Sequence, residues 1–120
     1  MLEFCTTELN NLTRDDRLKI HNFIYENRES TLYHTLEWNE AIKSFTRLQD
    51  KILLAYDKSE IVGYFIYFEY PKYFFFKTTN SAIIETPYGG PIARDNDEII
   101  LKSLILYHEK VSKSLMYYVN

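Results

Sequence analysis

An α+β fold is predicted for this 120-residue chain by three observations. Two runs of β-favouring residues, Lys51–Tyr56 and Ile61–Phe68, flank the polar stretch Asp57-Lys58-Ser59-Glu60, which is the pattern of a hairpin. Three other stretches carry apolar residues at helical spacing behind a capping side chain. The order is strand, two helices, hairpin, further strands, helix, strand, which is not the strict alternation of a parallel sheet. With 46% hydrophobic residues the chain suffices for one core and one domain, residues 1–120.

Leu2–Thr7 reads as the first strand. Asn10-Asn11-Leu12-Thr13 then forms a loop in which Thr13, followed by Asp15 and Asp16, caps a helix and places negative charge on its first turn. Leu18, Ile20, Phe23 and Ile24 make the apolar stripe of that helix, from Arg14 to Asn27. Thr35 caps a second helix that runs to about Thr46, with Leu36, Ala41, Ile42 and Phe45 expected to face the core. Trp38, on the same helix, is expected to pack between it and the sheet. Gly63 inside the second hairpin strand predicts a bulge or a close backbone neighbour. Tyr73–Lys77 and Ser81–Glu85 read as further strands. Asp95-Asn96-Asp97-Glu98 caps a third helix over Asp97–Ser112, with apolar Ile99, Ile100, Leu104 and Leu106, and Leu115–Val119 reads as a last strand.

Composition narrows the function classes. A net charge of −3 with interspersed signs gives no basic face for a polyanion, so no direct nucleic-acid site is expected. Cys5 is the only cysteine, which rules out an intramolecular disulfide and a cysteine-rich metal site and makes a cytoplasmic location the default expectation. No apolar segment approaches the length of a membrane span, and the N-terminus lacks the pattern of a signal peptide. His21 and His108 share no ligand-like spacing with acidic residues, so no metal is expected. Eleven Tyr and eight Phe are unusual, because tyrosine suits clefts and half-buried strands better than a dry core. The run Tyr70–Phe76 holds more large apolar groups than one core can accept. Additional chain or a homodimer contact is expected to cover it.

Special backbone is concentrated at Glu85-Thr86-Pro87-Tyr88-Gly89-Gly90-Pro91-Ile92, which holds two of the three glycines and two of the three prolines. Glycine permits φ > 0 and close approach to the main chain, and the flanking prolines fix φ. The stretch is either an ordinary tight turn or a loop shaped for a ligand.

The element order resembles the N-terminal half of the GNAT-type N-acetyltransferase fold, which implies αβα layers, with a mixed and mostly antiparallel sheet flanked by helices. Ser30-Thr31-Leu32-Tyr33-His34-Thr35-Leu36-Glu37-Trp38 is similar to the segment that opens the second helix in its FemAB-like branch. The hairpin from Leu53 to Tyr64 looks like the GNAT hairpin, and Tyr88-Gly89-Gly90-Pro91-Ile92 resembles the Tyr-Gly-Gly-Pro-Leu turn of the same branch. The likeness spans Leu2 to Val119. It implies an acyl or aminoacyl transferase acting on an amine acceptor, either a small molecule or a peptidoglycan precursor. The donor would be an acyl-CoA or aminoacyl-tRNA bound by a full-length protein. The Gly-rich pyrophosphate signature of GNAT enzymes is absent, so no cofactor is expected in this chain, which reads as incomplete at its C-terminus, inactive alone and completed by a C-terminal half.

The same resemblance makes Tyr88, Gly89 and Gly90 candidate substrate-binding residues, with Lys43 as a contact to the acceptor's phosphates. Read from the residues alone, Lys43 is a solvated helix lysine and Tyr88 a packing tyrosine. His34 stands before a helix, where it either caps and packs or takes part in the site. Glu85 is the remaining carboxylate near the turn, and no catalytic residue can be assigned. The competing reading is a non-catalytic module that pairs through an aromatic-rich strand.

Overall fold

The computed structural model describes residues 2–46, 48–69, 78–80, 90–112 and 116–118. The predicted strands Tyr73–Lys77 and Ser81–Glu85 and the aromatic run Tyr70–Phe76 lie outside these. The elements are β1 (Leu2–Thr7), α1 (Arg14–Glu26), α2 (Leu36–Phe45), β2 (Gln49–Asp57), β3 (Glu60–Glu69), β4 (Thr78–Asn80), β5 (Ile92–Ala93), α3 (Glu98–Ser112) and β6 (Met116–Tyr118). Short 3-10 turns at Leu9–Asn11 and Leu32–His34 precede α1 and α2, and a third at Arg94–Asn96 precedes α3. The helix starts are those that the capping chemistry predicts. Thr13 accepts from the Asp16 N–H while the Asp16 carboxylate accepts from the Thr13 N–H. Thr35 Oγ1 accepts from the Trp38 N–H, and Asp97 from the N–H groups of Ile99 and Ile100.

The strands form one sheet in the order β1-β2-β3-β4-β6, with β5 on the same edge of β3 as β4. Pairing is antiparallel throughout except β4 with β6, which is parallel. The predicted hairpin is its centre: Ile52 faces Ile66 and Leu54 faces Tyr64, around a turn in which Lys58 and Ser59 both have positive φ. Both faces of the hairpin are covered. Ile52, Leu54, Tyr64 and Ile66 pack with Leu9, Ile20, Ile24 and Leu36 under α1 and α2. Leu53, Ala55, Val62, Phe65 and Tyr67 pack with Ile100 and Leu104 of α3. This gives the layered α+β architecture, and each fully buried side chain of Ile20 type contributes about 1.5–3 kcal/mol relative to its exposed state.

The outward faces differ from expectation. Leu18, Phe45, Ile99 and Leu106 are exposed, and so is Ala41. On α2 the inward stripe is Leu36, Asn39 and Ile42, with Asn39 donating to the carbonyls of Tyr33 and Thr35. Trp38 flanks that stripe, half-buried, with its ring nearly perpendicular to that of Tyr33. On α3 the third inward position belongs to His108, which is 1% exposed against the rings of Phe65 and Tyr67. An apolar residue outside costs little, so periodicity alone overcounts the core. Among the described residues no helix is long and apolar enough to cross a membrane.

Of the two alternatives for Gly63, the bulge is present, and the close neighbours are side chains rather than backbone. The register slips between Ala55 and Tyr56, so that Val62 and Gly63 turn to the same face of the sheet, under α3. A Cβ on Gly63 would lie 2.8 Å from Ile100 Cγ2, 3.0 Å from Leu104 Cδ1 and 3.1 Å from Ala55 Cβ. Gly63→Ala is therefore expected to lower stability by about 1–3 kcal/mol through overpacking, read as the shift of the urea midpoint. A neutral or stabilising effect would show that α3 does not press on this bulge.

Candidate functional site

Two of the sequence candidates are brought together at the junction of the α1–α2 connection, β3 and the start of β5. His34 closes the 3-10 turn Leu32–His34, whose N-cap is Thr31. Its Nδ1 accepts from the Thr31 N–H at 3.0 Å, and Thr31 Oγ1 lies 3.1 Å from the same nitrogen. A nitrogen that accepts an N–H is unprotonated, so the ring proton of the neutral imidazole sits on Nε2. Nε2 donates to the Gly90 carbonyl at 3.1 Å. The His34 carbonyl in turn accepts from the Tyr64 hydroxyl at 2.9 Å. Gly90 is buried with φ 109, a conformation that side-chain-bearing residues avoid.

Burial sets the protonation states. His34 is 3% exposed, and desolvation holds its pKa below the ordinary 6.5, with the Gly90 carbonyl opposing in part. Tyr64 is pushed up by complete burial and, secondarily, by Glu37, so its hydroxyl stays a donor. His108 is also held below 6.5 by burial, against the raising influence of Glu69 and Glu109.

Beside the junction, Asn27 at the end of α1 donates to the Ala93 carbonyl at 2.8 Å and accepts from the Glu29 N–H. This ties the helix end to β5 and forms one wall of a groove of about 980 Å³. Arg28 and Glu29 line it on one side, Ser59 and Glu60 on the second, Arg94 and Asp95 on the third. Charges of both signs fit it for a small polar ligand. The partner of β3 also changes register here. Phe68 pairs with Asn80, yet Tyr64, four residues back, pairs with Ile92, twelve residues on. An unbroken strand would need only four.

Lys43 lies elsewhere, near the other end of α2, about 10 Å along the axis from its start. Its ammonium is 2.7 Å from Asp50, whose side chain is fully buried and also accepts from the Leu9 N–H at 2.6 Å. It is thus neither a solvated lysine nor adjacent to His34 and Gly90. Tyr88, Gly89 and Glu85 lie outside the described residues. His21 is exposed on α1, and among the described residues no group of three His, Cys, Asp or Glu could hold a metal ion. Asp50, Tyr64 and Asn27 were not signalled by sequence. Asp50 stands between polar Gln49 and Lys51, and nothing in that context marks it as buried.

With helices on both faces of a sheet built around this hairpin, the fold is that of GNAT-type acetyltransferases. The chain is similar in structure to an aminoglycoside acetyltransferase from an uncultured soil metagenomic sample, solved in complexes with sisomicin and with trehalose. The TM-scores are 0.59 and 0.60, at 13% identity, covering 99% of this chain and 76% of that one. It is also similar to a ribosomal-protein-alanine N-acetyltransferase from Brucella melitensis biovar Abortus 2308, with a TM-score of 0.56 and 12% identity, covering 100% of this chain and 79% of that one. No family model and no curated protein sequence matches the chain.

Two measurements test the local energetics. Lys43→Met leaves the Asp50 carboxylate buried and without its cation, so a loss of about 3–5 kcal/mol is expected, and less in an Asp50→Asn background. Additive losses in urea unfolding would show that the two side chains do not interact. Because the unfolded chain binds protons at His34 and His108 before the folded one, stability is complete above pH 6.5 and falls as pH drops below it. Denaturant midpoints at constant ionic strength between about pH 7.5 and 5 should decline, and less steeply in His34→Gln. A flat wild-type profile would contradict neutral buried imidazoles.

Proposed function

We propose that this chain is the acceptor-side part of an acyl or aminoacyl transferase, in which Tyr88, Gly89 and Gly90 line the place where the amine acceptor binds. The observation that carries the reading is Gly90 itself. It is a buried residue in a glycine-only conformation, hydrogen-bonded through its carbonyl to a buried histidine, at the point where the strand beside β3 restarts out of register. Such a turn brings main-chain groups close to a ligand with no side chain in the way. The fold shared with two acetyltransferases supports the reaction class, and the polar groove along Asn27 and Arg94 supports a small, polar acceptor.

In this reaction the free amine attacks the carbonyl carbon of a thioester or ester. The new C–N bond forms, the C–S or C–O bond breaks, and the amine's proton leaves. The turn would hold the amine against that carbon, which is the orientation effect that makes such a step effectively intramolecular. His34 is not its base, since its one acceptor nitrogen is occupied by Thr31. The acyl-CoA or aminoacyl-tRNA donor and the groups that bind it belong, on this reading, to a C-terminal half, and the working protein is the product of the whole reading frame. The FemAB-like branch, with a peptidoglycan precursor as acceptor, is the finer form of the same proposal, and the cytoplasm is its expected place.

The experiment is thiol release from acetyl-CoA, and amine-dependent loss of label from aminoacyl-tRNA, with the whole reading frame product and a panel of amines. Amine-dependent transfer is expected with one donor. Gly90→Ala should lower the rate while costing about 1–3 kcal/mol of stability through backbone strain. Absence of binding to either donor by calorimetry would discard the transferase reading and favour the pairing module.

A further inference from the structure

We propose that the groove beside the start of α3 takes the amine acceptor, as an amine of more than one positive charge, and excludes the diphosphate of an acyl-CoA. Acyl-CoA is the donor that the GNAT-type fold implies, and a diphosphate is held most readily on the open N–H groups of a helix start. Each of the three α-helix starts among the described residues is instead closed by a side chain of its own and carries a carboxylate in its first turn. Thr13 does this for α1 beside Asp15 and Asp16, and Thr35 for α2 beside Glu37. At α3 the closure is nearly complete. Of the four N–H groups that its first turn leaves over, that of Asp97 donates to the Arg94 carbonyl at 3.1 Å, and those of Ile99 and Ile100 donate to Asp97 Oδ1 at 2.8 and 3.3 Å. The fourth belongs to Glu98, which brings a carboxylate of its own. A diphosphate arriving here would have to displace Asp97 in the company of Asp95 and Glu98.

The groove is biased the same way. Its lining holds three cations, Lys19, Arg28 and Arg94, against four carboxylates, Glu26, Glu29, Glu60 and Asp95. Two of the cations are also engaged from outside the lining, since Lys19 lies 3.2 Å from Asp15, and Arg94 stands 4.0 Å from Asp57 as well as 3.7 Å from Glu60. The third, Arg28, falls between Glu26 and Glu29 in the chain. α1 ends at Glu26 with no basic residue in its last turn, so the negative end of its dipole reaches the groove as well. Glu26 and Glu29 belong to one wall and Asp95 to another, and a single ammonium cannot answer both. A molecule with two or more of them can, and a volume of about 980 Å³ admits one. The wall itself is preformed, because Asn27 is tied to the Ala93 carbonyl at 2.8 Å. That the cation is the acceptor rests on the transferase reading above. The preference for a cation over a phosphate does not.

Spermidine, inorganic pyrophosphate and coenzyme A are the probes, each titrated into the ¹⁵N-labelled product of the whole reading frame and followed by NMR. Spermidine should shift the side-chain amides of Asn27 and Asn96, which line the groove, with an affinity that falls as salt rises. Joint replacement Glu29→Gln and Asp95→Asn should weaken that affinity about five-fold at low salt, as expected for the loss of two exposed charges. Pyrophosphate and coenzyme A should leave the backbone amide signals of Ile99 and Ile100 in place, whatever other parts of the protein do with them. Displacement of Ile99 and Ile100 by either phosphate compound, groove amides that spermidine does not move, or an affinity indifferent to the double replacement would overturn the proposal. Spermidine seated here without any transfer would sink the reaction class and leave the site. Transfer with a phosphate on the start of α3 would sink the site and leave the reaction class.

Discussion

Burial of the β2–β3 hairpin on both faces is the constraint that everything else answers to. Successive residues of a strand point to opposite sides, so a hairpin that is apolar on both must be covered by helices on both. α1 and α2 cover one face and α3 the other, and the two-sided cover leaves no slack at the bulge where Val62 and Gly63 share a side. Gly63 thus lets α3 sit close to the sheet, and α3 in turn follows directly on the strand that begins beyond Gly90. The site inherits its geometry from this layering, with the α1–α2 connection held over one face by Tyr64, a residue of the hairpin itself.

Most elements were legible in the chain. Thr13, Thr35 and Asp97 start the three helices as capping chemistry requires, and the polar stretch around Lys58 divides two strands that pair as expected. The misassignments have a common physical origin. Periodicity tells which residues share a face but not where that face ends, so Leu18, Phe45, Ile99 and Leu106 were placed inward while Asn39 and His108 took inner positions. Buried polar groups are tolerated where a partner exists, and the partner lies far away in sequence: Asp50 meets Leu9 and Lys43, and His34 meets Gly90. The candidate site was legible in its residue types at His34 and Gly90, but their meeting across the fold was not.

The two buried polar contacts act differently. The Lys43–Asp50 pair joins the end of α2 to the beginning of β2 and, through the Leu9 N–H, to the turn ahead of α1. It fixes how the helices seat on the sheet. The His34 contact instead ties a loop to a turn, at the margin of the core, where small shifts are cheap for the fold and large for a ligand. The first depends on opposite charges, since the ammonium and the carboxylate face each other, while the second is a hydrogen bond from a ring N–H to a carbonyl.

The register of β1 has a consequence for the order in which this chain is built. Leu2 pairs with Asp57 and Thr7 with Ile52, so the first strand leaves the ribosome about fifty residues before its partner. The hairpin, by contrast, closes over two residues as soon as it emerges. Until the hairpin arrives the strand has no pairing partner and α1 has no sheet to cover. The earliest-made strand of the sheet thus waits about fifty residues of synthesis before Gln49–Asp57 arrives to pair with it.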